Sequence, residues 1–301
     1  MIRFTLPDFT LGLRRNLVFL SLMRDSPQFF LPGVRVDSVY GCFPDCKLNG
    51  GRAYIRQRYT PEQMDATFST LDEFGVKVRL TLTNMLAGEA ELDDPYVGEM
   101  LDVALAHRAE LIVYSDVVDA YVRRRWEQAG VPCVRVLSTT REILEPDALN
   151  EALGRFSYVV LNYNKNKDHA FLAQVEHPER LEVMANELCN PGCPHRTEHY
   201  LHNSRDQLAG TITEFRRCNL AGHDFWREAP ASPTILTNDD VYELNRRYGI
   251  EYFKLVGRGV DSSVTLESYL YYLVRPEHRA GLRGVLAGML GMGSGGSGAA
   301  C

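Results

Sequence analysis

Short apolar runs recur along the chain and alternate with stretches in which apolar residues stand three to four positions apart. The runs have the length and the β-branched content typical of buried strands, and the stretches between them have the period of amphipathic helices. The predicted strands are residues 2–6, 34–40, 76–82, 111–114, 133–137, 158–162, 181–185 and 252–256.

The boundaries of the predicted helices carry recognisable end signals. Thr60 stands before a proline and has Gln63 three positions later, which predicts a helix start with a capping box. Gly75, Gly130 and Gly249 each stand shortly before a predicted strand, where a glycine commonly ends a helix. Eight strands alternating with helices predict an α/β fold of the (β/α)8 TIM-like barrel type. A doubly wound open sheet is the alternative, although no Gly-x-Gly-x-x-Gly follows the first strand.

Residues 189–232 interrupt this alternation with cysteines, histidines, prolines and glycines. The segment follows the seventh predicted strand, and the loops after barrel strands are where active sites form. We therefore expect residues 1–290 to form a single barrel domain in which 189–232 is a metal-binding insertion. Residues 291–301 are rich in glycine and serine, and we expect a flexible tail there.

Composition narrows the class of partner. The 301 residues include 33 basic and 39 acidic side chains, and a net charge of −6 argues against a general electrostatic affinity for nucleic acid or anionic membranes. The sequence contains no apolar stretch of about 20 residues, the length that a membrane span needs. Seven cysteines, an odd number, fit a reducing compartment. We expect a cytoplasmic protein; its substrate and its homo- or hetero-oligomeric state stay open.

The cysteines form the main chemical signal. Cys189 and Cys193 flank a Pro-Gly turn that directs two thiolates towards one metal centre. Cys42 and Cys46 have the same spacing and follow the second predicted strand. Loops after different strands meet at one barrel mouth, so one of these two is a candidate to complete a four-thiolate site with Cys189, Cys193 and Cys218. Proline next to a cysteine ligand is common in iron–sulfur loops.

Zinc is the alternative metal. His195, His199 and His202 stand in the same segment, which permits a site of two cysteines and two histidines. Their helical spacing also fits capping or surface positions, so the sequence does not decide between Fe–S and Zn²⁺. Cys133 falls within a predicted strand and is expected in the core.

Other polar residues are expected at the mouth. Glu187, beside the cysteine loop, is a candidate catalytic acid or base. Lys254 lies in the last predicted strand, where an unpaired ammonium group is costly, and it is the second catalytic candidate. The loop after the sixth strand reads either as a substrate-binding loop or as a solvated helix-capping loop. The candidate substrate-binding residues are Asn162, Asn164, Lys165 and Arg258.

Two blocks of the sequence resemble the peptidase U32 family. One is Leu-Glu-Val-Met at 181–184, running through Asn-Glu-Leu-Cys at 186–189 into Cys-Pro-His-Arg at 193–196. The other is residues 233–258, which are similar to a family segment with a helix ending in Gly-Ile and a strand ending in Lys-x-x-Gly-Arg. Tyr40-Gly41 and Ser138-Thr139-Thr140 also stand where similar residues stand in that family.

The resemblance implies a barrel that holds a [4Fe-4S] cluster. By position, Cys189, Cys193 and Cys218 would be ligands, together with Cys42 or Cys46. Because several members are oxygen-independent hydroxylases, we expect an iron–sulfur oxidoreductase that hydroxylates an organic substrate without molecular oxygen. One alternative is a U32-type peptidase, although the chain has neither His-Glu-x-x-His nor Gly-x-Ser-x-Gly. The other is a non-catalytic partner subunit with a structural Fe–S or zinc site.

Overall fold

Eight parallel strands close into a barrel in the computed structural model of the chain, which describes residues 1–51, 55–217, 231–257 and 262–291. The strands pair in chain order, and the eighth pairs with the first. All eight predicted strands are confirmed, with ends shifted by one or two residues. The strands are β1 (Ile2–Pro7), β2 (Val34–Gly41), β3 (Lys77–Leu82), β4 (Glu110–Val113), β5 (Arg135–Leu137), β6 (Tyr158–Val160), β7 (Leu181–Met184) and β8 (Tyr252–Lys254).

Helices alternate with the strands, and their buried apolar residues belong to the same large core cluster as those of the strands. The α-helices of the described residues are α1 (Leu13–Asp25), α2 (Pro61–Asp72), α3 (Glu89–Leu92), α4 (Pro95–Ala106), α5 (Asp116–Gln128), α6 (Pro146–Arg155), α7 (His169–Leu172), α8 (Arg196–Ala209), α9 (Asn238–Tyr248), α10 (Ser262–Leu273) and α11 (Pro276–Leu290). Short 3-10 helices are found at Pro27–Phe29, Thr139–Arg141, Tyr163–Lys165 and Pro178–Arg180. Within the described ranges, the structure contains no helix with the length and hydropathy of a membrane span.

The predicted helix ends are confirmed in atomic detail. The Thr60 hydroxyl accepts from the Gln63 N–H at 3.3 Å, and the Gln63 side chain accepts from the Thr60 N–H at 2.9 Å. Gly249 ends α9 with φ of +72°, in the left-handed region that glycine enters without steric cost.

One local expectation is corrected. Cys133 lies two residues before β5, which begins only at Arg135, and is half-buried against the main core cluster. Residues 189–232 include a helix, since α8 forms 14 of them.

The barrel interior contains charged residues at its centre. Because strand side chains alternate, β3 turns Arg79 inward, where its side chain is fully buried. Arg79 donates to Glu110 of β4 at 2.6 Å and to Glu182 of β7 across the barrel. Glu182 also accepts from the Thr5 hydroxyl at 2.7 Å. Burial alone would lower the pKa of Arg79, but the carboxylates of Glu182 and Glu110 outweigh it and raise that pKa above its ordinary value.

We expect Arg79→Met to destabilise the fold by about 3–5 kcal/mol, because it removes the buried cation that Glu110 and Glu182 share. Urea unfolding measures the loss. Arg123→Met is the matched control: Arg123 is exposed and lies 3.8 Å from Glu127, so its removal should cost less than about 1 kcal/mol. Equal effects of the two substitutions would contradict a central role for the buried arginine.

His107 joins two helices on the outside of the barrel. It lies at the end of α4, and its Nδ1 is 2.7 Å from Asp72 and its Nε2 3.0 Å from Asp65, both on α2. A neutral imidazole has one N–H, so only the protonated ring donates to both carboxylates. Partial burial lowers the pKa of His107, but the two aspartates raise it more, and the net shift is upward from the ordinary value.

The contribution of His107 to stability should therefore be complete below pH about 6.5 and lost as the pH rises through the raised pKa of the folded protein. We expect the urea midpoint of the wild type to fall over that interval relative to that of His107→Gln. Because both aspartates are largely exposed, the difference should be at most about 1 kcal/mol. Parallel pH profiles for the two proteins would rule out this role.

Candidate functional site

A cavity opens at the barrel mouth, where the carboxyl ends of the strands meet. It has about 650 Å³ of space, counted to include its part open to solvent. Hydroxyl groups, apolar side chains and two charged groups share its wall. The lining residues are Tyr40, Gly51, Thr81, Thr83, Ile112, Ser138, Thr139, Thr140, Val160, Met184, Glu187, Tyr200, Lys254 and Val256.

Helix α8 covers part of this mouth, and Tyr200 of that helix lines the cavity. The residues that α8 buries are polar: Arg196, Asn203, Ser204, Asp206 and Gln207. The Ser204 hydroxyl accepts from the Met85 N–H at 3.1 Å, and the Gln207 amide donates to the Cys46 carbonyl at 3.1 Å. Hydrogen bonds to the loops after β2 and β3 therefore hold the helix in place.

Arg196, the first residue of α8, ties three loops together. It donates to Glu187 and to Glu142, each at 2.9 Å, and its guanidinium lies 4.3 Å from the centre of the Tyr163 ring. The second Glu187 oxygen accepts from the Cys189 N–H at 3.1 Å. Both oxygens of Glu187 thus have donors in this structure, which fixes the cysteine loop against the cavity. The predicted acid or base role of Glu187 stays a prediction.

Lys254 reaches the cavity from β8 and is buried, as the sequence indicated. Its Nζ lies 3.7 Å from Glu182 and 3.9 Å from the centre of the Tyr40 ring. Burial would raise the pKa of Glu182, but Arg79 and Lys254 together lower it below its ordinary value. Lys254 is therefore a paired ammonium group at the cavity wall, and its catalytic role stays a prediction.

The loop after β6 is engaged in local contacts. Asn162 accepts from the Asn164 N–H at 3.0 Å and donates to Glu142 at 3.0 Å. Asn164 accepts from the Gly192 N–H at 2.8 Å, and Lys165 lies 3.0 Å from Asp168. These contacts match the helix-capping alternative, with Asn164 also fixing the cysteine turn. Their role as substrate ligands stays a prediction, and Arg258 lies outside the described residues.

The cysteine turn lies beside the cavity. Cys189 and Cys193 are both half-buried, and Gly192 between them has φ of +63°. Burial raises the pKa of the Cys189 thiol to about 11, while the Arg196 guanidinium acts in the opposite direction. Cys193 is close enough to contribute to this shift. The turn thus brings two thiols near each other, with the Arg196 guanidinium beside Cys189.

The remaining predicted thiolates do not join this pair in the described part of the chain. Cys42 and Cys46 are buried in the main core cluster, whereas Cys189 packs against a second cluster that contains Tyr40 and Met184. Cys218 lies outside the described residues. Across those residues, no three His, Cys, Asp or Glu side chains are placed to hold one metal ion. The described chain thus supplies two thiols and does not complete a four-thiolate set.

The three histidines have the predicted helical spacing and contact other groups. His195 lies 3.2 Å from Glu198, and His202 lies 3.1 Å from the Thr213 carbonyl. His199 stacks on Phe215 with ring centres 4.6 Å apart. A zinc site stays an untested alternative.

The sequence-based candidates omit the hydroxyls of the cavity and the charged barrel interior. Residues 77–83 read Lys-Val-Arg-Leu-Thr-Leu-Thr, so Arg79, Thr81 and Thr83 share one face of the strand and its extension. The signal that could have identified these residues is a polar side chain at every second position of a strand that is buried on both faces. Glu182 in β7 carries the same signal.

Comparisons with known proteins bear on the fold. No protein-family model and no curated protein match the sequence. The chain is similar to the solved structure of the U32 peptidase Mk0906, with 15% identity, a TM-score of 0.52, and coverage of 85% of this chain and 93% of that one. It also matches the spore cortex-lytic enzyme SleL of Bacillus cereus at 10% identity and a TM-score of 0.41, covering 86% and 71% of the two chains.

A third match is the apo form of the 3-keto-D-glucoside 4-epimerase YcjR of E. coli. It has 10% identity and a TM-score of 0.36, and covers 97% of this chain and all of the other. At 15% identity, the match to Mk0906 concerns the fold alone. The barrel predicted from the sequence, and the resemblance to the peptidase U32 family at the level of the fold, are confirmed by the match to Mk0906.

Proposed function

We propose that the chain is an enzyme of the U32-like type that carries out redox chemistry, with an iron–sulfur cluster, on an organic substrate bound in the mouth cavity. One observation carries the proposal. Glu187 lines the cavity and at the same time binds the backbone of Cys189, so the thiol pair and the cavity share a wall. Active sites of this fold form at the same end of the barrel.

The residues around the cavity have separable tasks in this proposal. Cys189 and Cys193 would hold the cluster, which supplies electron transfer when bound, and its remaining ligands are not among the described residues. Arg196 balances charge at the sulfurs and fixes the loop through Glu187. Lys254 places an ammonium group in the cavity wall. Helix α8, which covers part of the mouth, would limit the access of water to the cavity.

The alternative is a peptidase, because the match with the TM-score of 0.52 is a structure titled a U32 peptidase. Hydrolysis by a hydroxyl nucleophile needs a neighbouring base. No histidine is found among the described residues that line the cavity beside Ser138 and Thr139. The fold match is equally consistent with both functions, and the thiol pair beside the cavity is the observation that favours the redox enzyme.

Protein purified without oxygen should contain iron and acid-labile sulfide and absorb broadly near 400 nm, roughly the range of thiolate-to-iron charge transfer. Cys189→Ser and Cys193→Ser should each lose most of the iron and the absorption. Cys133→Ser is the matched control, since Cys133 is half-buried before β5, and it should keep both.

Three results would overturn the redox proposal. They are zinc in place of iron, no metal in the wild type, and iron retained in both loop variants. Cleavage of gelatin by metal-free protein would favour the peptidase. Bound iron with no turnover of any redox dye would favour a non-catalytic partner subunit.

A further inference from the structure

Two hydroxyls of the cavity differ from their neighbours in hydrogen bonding. The side-chain oxygens of Thr83 and Thr139 are buried, and neither has a hydrogen-bond partner within the described residues. Thr83 is only 4% exposed. By contrast, the Thr81 hydroxyl donates to the Gly41 carbonyl at 3.0 Å, and the Thr140 hydroxyl donates to Ser138 at 2.9 Å.

An unpaired buried hydroxyl is costly, so a native protein commonly keeps one where another molecule satisfies it. Thr83 follows β3 and Thr139 follows β5, and both line the same cavity. A single occupant of that cavity therefore contacts residues from two separate loops, and rotation about χ1 of each threonine would bring its buried hydroxyl to that occupant. Neither hydroxyl contributes a hydrogen bond to the described fold itself.

The other polar groups of the cavity wall determine which chemical groups of an occupant would complement it. Both oxygens of Glu187 already accept hydrogen bonds, from Arg196 and from the Cys189 N–H. Lys254 presents an ammonium group, which only donates. The hydroxyls of the wall can donate or accept, so its charged groups decide the sign of the occupant: Lys254 donates, and the oxygens of Glu187 are already engaged. Oxygen acceptors with negative charge complement this wall.

We propose that Thr83 and Thr139 are substrate-binding residues, and that with Lys254 they bind an anionic oxygen group, a carboxylate or a phosphate, of a small molecule in the mouth cavity. The proposal deepens the proposed function, on which it rests, by giving the chemical class of the substrate. Ile112, Val160 and Met184 would contact the apolar remainder of the same molecule.

The first test compares three threonine-to-valine substitutions in the free protein. Valine keeps the shape of threonine and removes the hydroxyl. Thr83→Val and Thr139→Val should leave the melting temperature unchanged or raise it, since no hydrogen bond of the fold is lost. Thr81→Val is the matched control and should lower the melting temperature, because the Thr81 hydroxyl donates to the Gly41 carbonyl.

A hydroxyl that binds an ordered structural water would behave like that of Thr81. A clear fall for both Thr83→Val and Thr139→Val would overturn the proposal.

The second test measures binding of acetate, orthophosphate and neutral glycerol by NMR titration of the threonine methyl groups. At least one of the two anions should bind to the wild type, and glycerol should bind far more weakly. Each of Thr83→Val and Thr139→Val should raise the dissociation constant of that anion roughly 5- to 10-fold, the effect of one hydrogen bond. Thr70→Val, on helix α2 and outside the lining of the cavity, should leave it unchanged.

Binding of acetate alone identifies a carboxylate, and binding of orthophosphate alone identifies a phosphate. No binding of either anion, or equal binding in the wild type and both cavity variants, would overturn the proposal. The iron content of the same preparations is measured independently. Protein that contains iron but binds neither anion would contradict the anion site alone, whereas protein without iron would contradict the redox function.

Discussion

The buried guanidinium of Arg79 is the group on which the barrel interior depends. Removing a charge from water costs several kcal/mol, and Arg79 is compensated only because two carboxylates from β4 and β7 converge on it. One of them, Glu182, also faces Lys254. The position of the cavity ammonium group is therefore tied to an ion pair deeper in the barrel. The ion pairs of the barrel interior and the charged group at the mouth therefore interact electrostatically through Glu182.

The upper part of the site is held by polar contacts of a different kind. Arg196 connects the loops after β5 and β7 through Glu142 and Glu187. Glu142 has φ of +50°, a conformation that non-glycine residues seldom adopt, and its side chain accepts from both Arg196 and Asn162. A helix that buries mostly polar residues has little apolar surface fixing it to the barrel. Its position is set by direction-dependent hydrogen bonds, which gives the mouth a defined shape.

The strands could be predicted from the sequence because each is a short run rich in apolar and β-branched residues, and that signal is local. The helical spacing of His195, His199 and His202 indicated a helix in this region, but the extent of α8 could not be predicted, because its buried face is polar and lacks the apolar period that reveals an amphipathic helix. Lys254 and Glu187 could be placed at the mouth from their positions at strand ends. The separation of Cys42 and Cys46 from Cys189 depends on which way each loop turns its side chains, and spacing carries no such information. Thr83 is a candidate binding residue because its hydroxyl has no hydrogen-bond partner among the described residues, and only a three-dimensional structure reveals this.

Both half-barrels contribute buried charges of both signs to the interior. The half formed by β1–β4 contains Arg79 with Asp37 and Glu110, and the half formed by β5–β8 contains Lys254 with Glu182. The bonds of Glu182 to Arg79 and Thr5 cross between the halves. The closed barrel therefore joins two halves that each contain a cation with its own counter-ion, and not one cationic half and one anionic half.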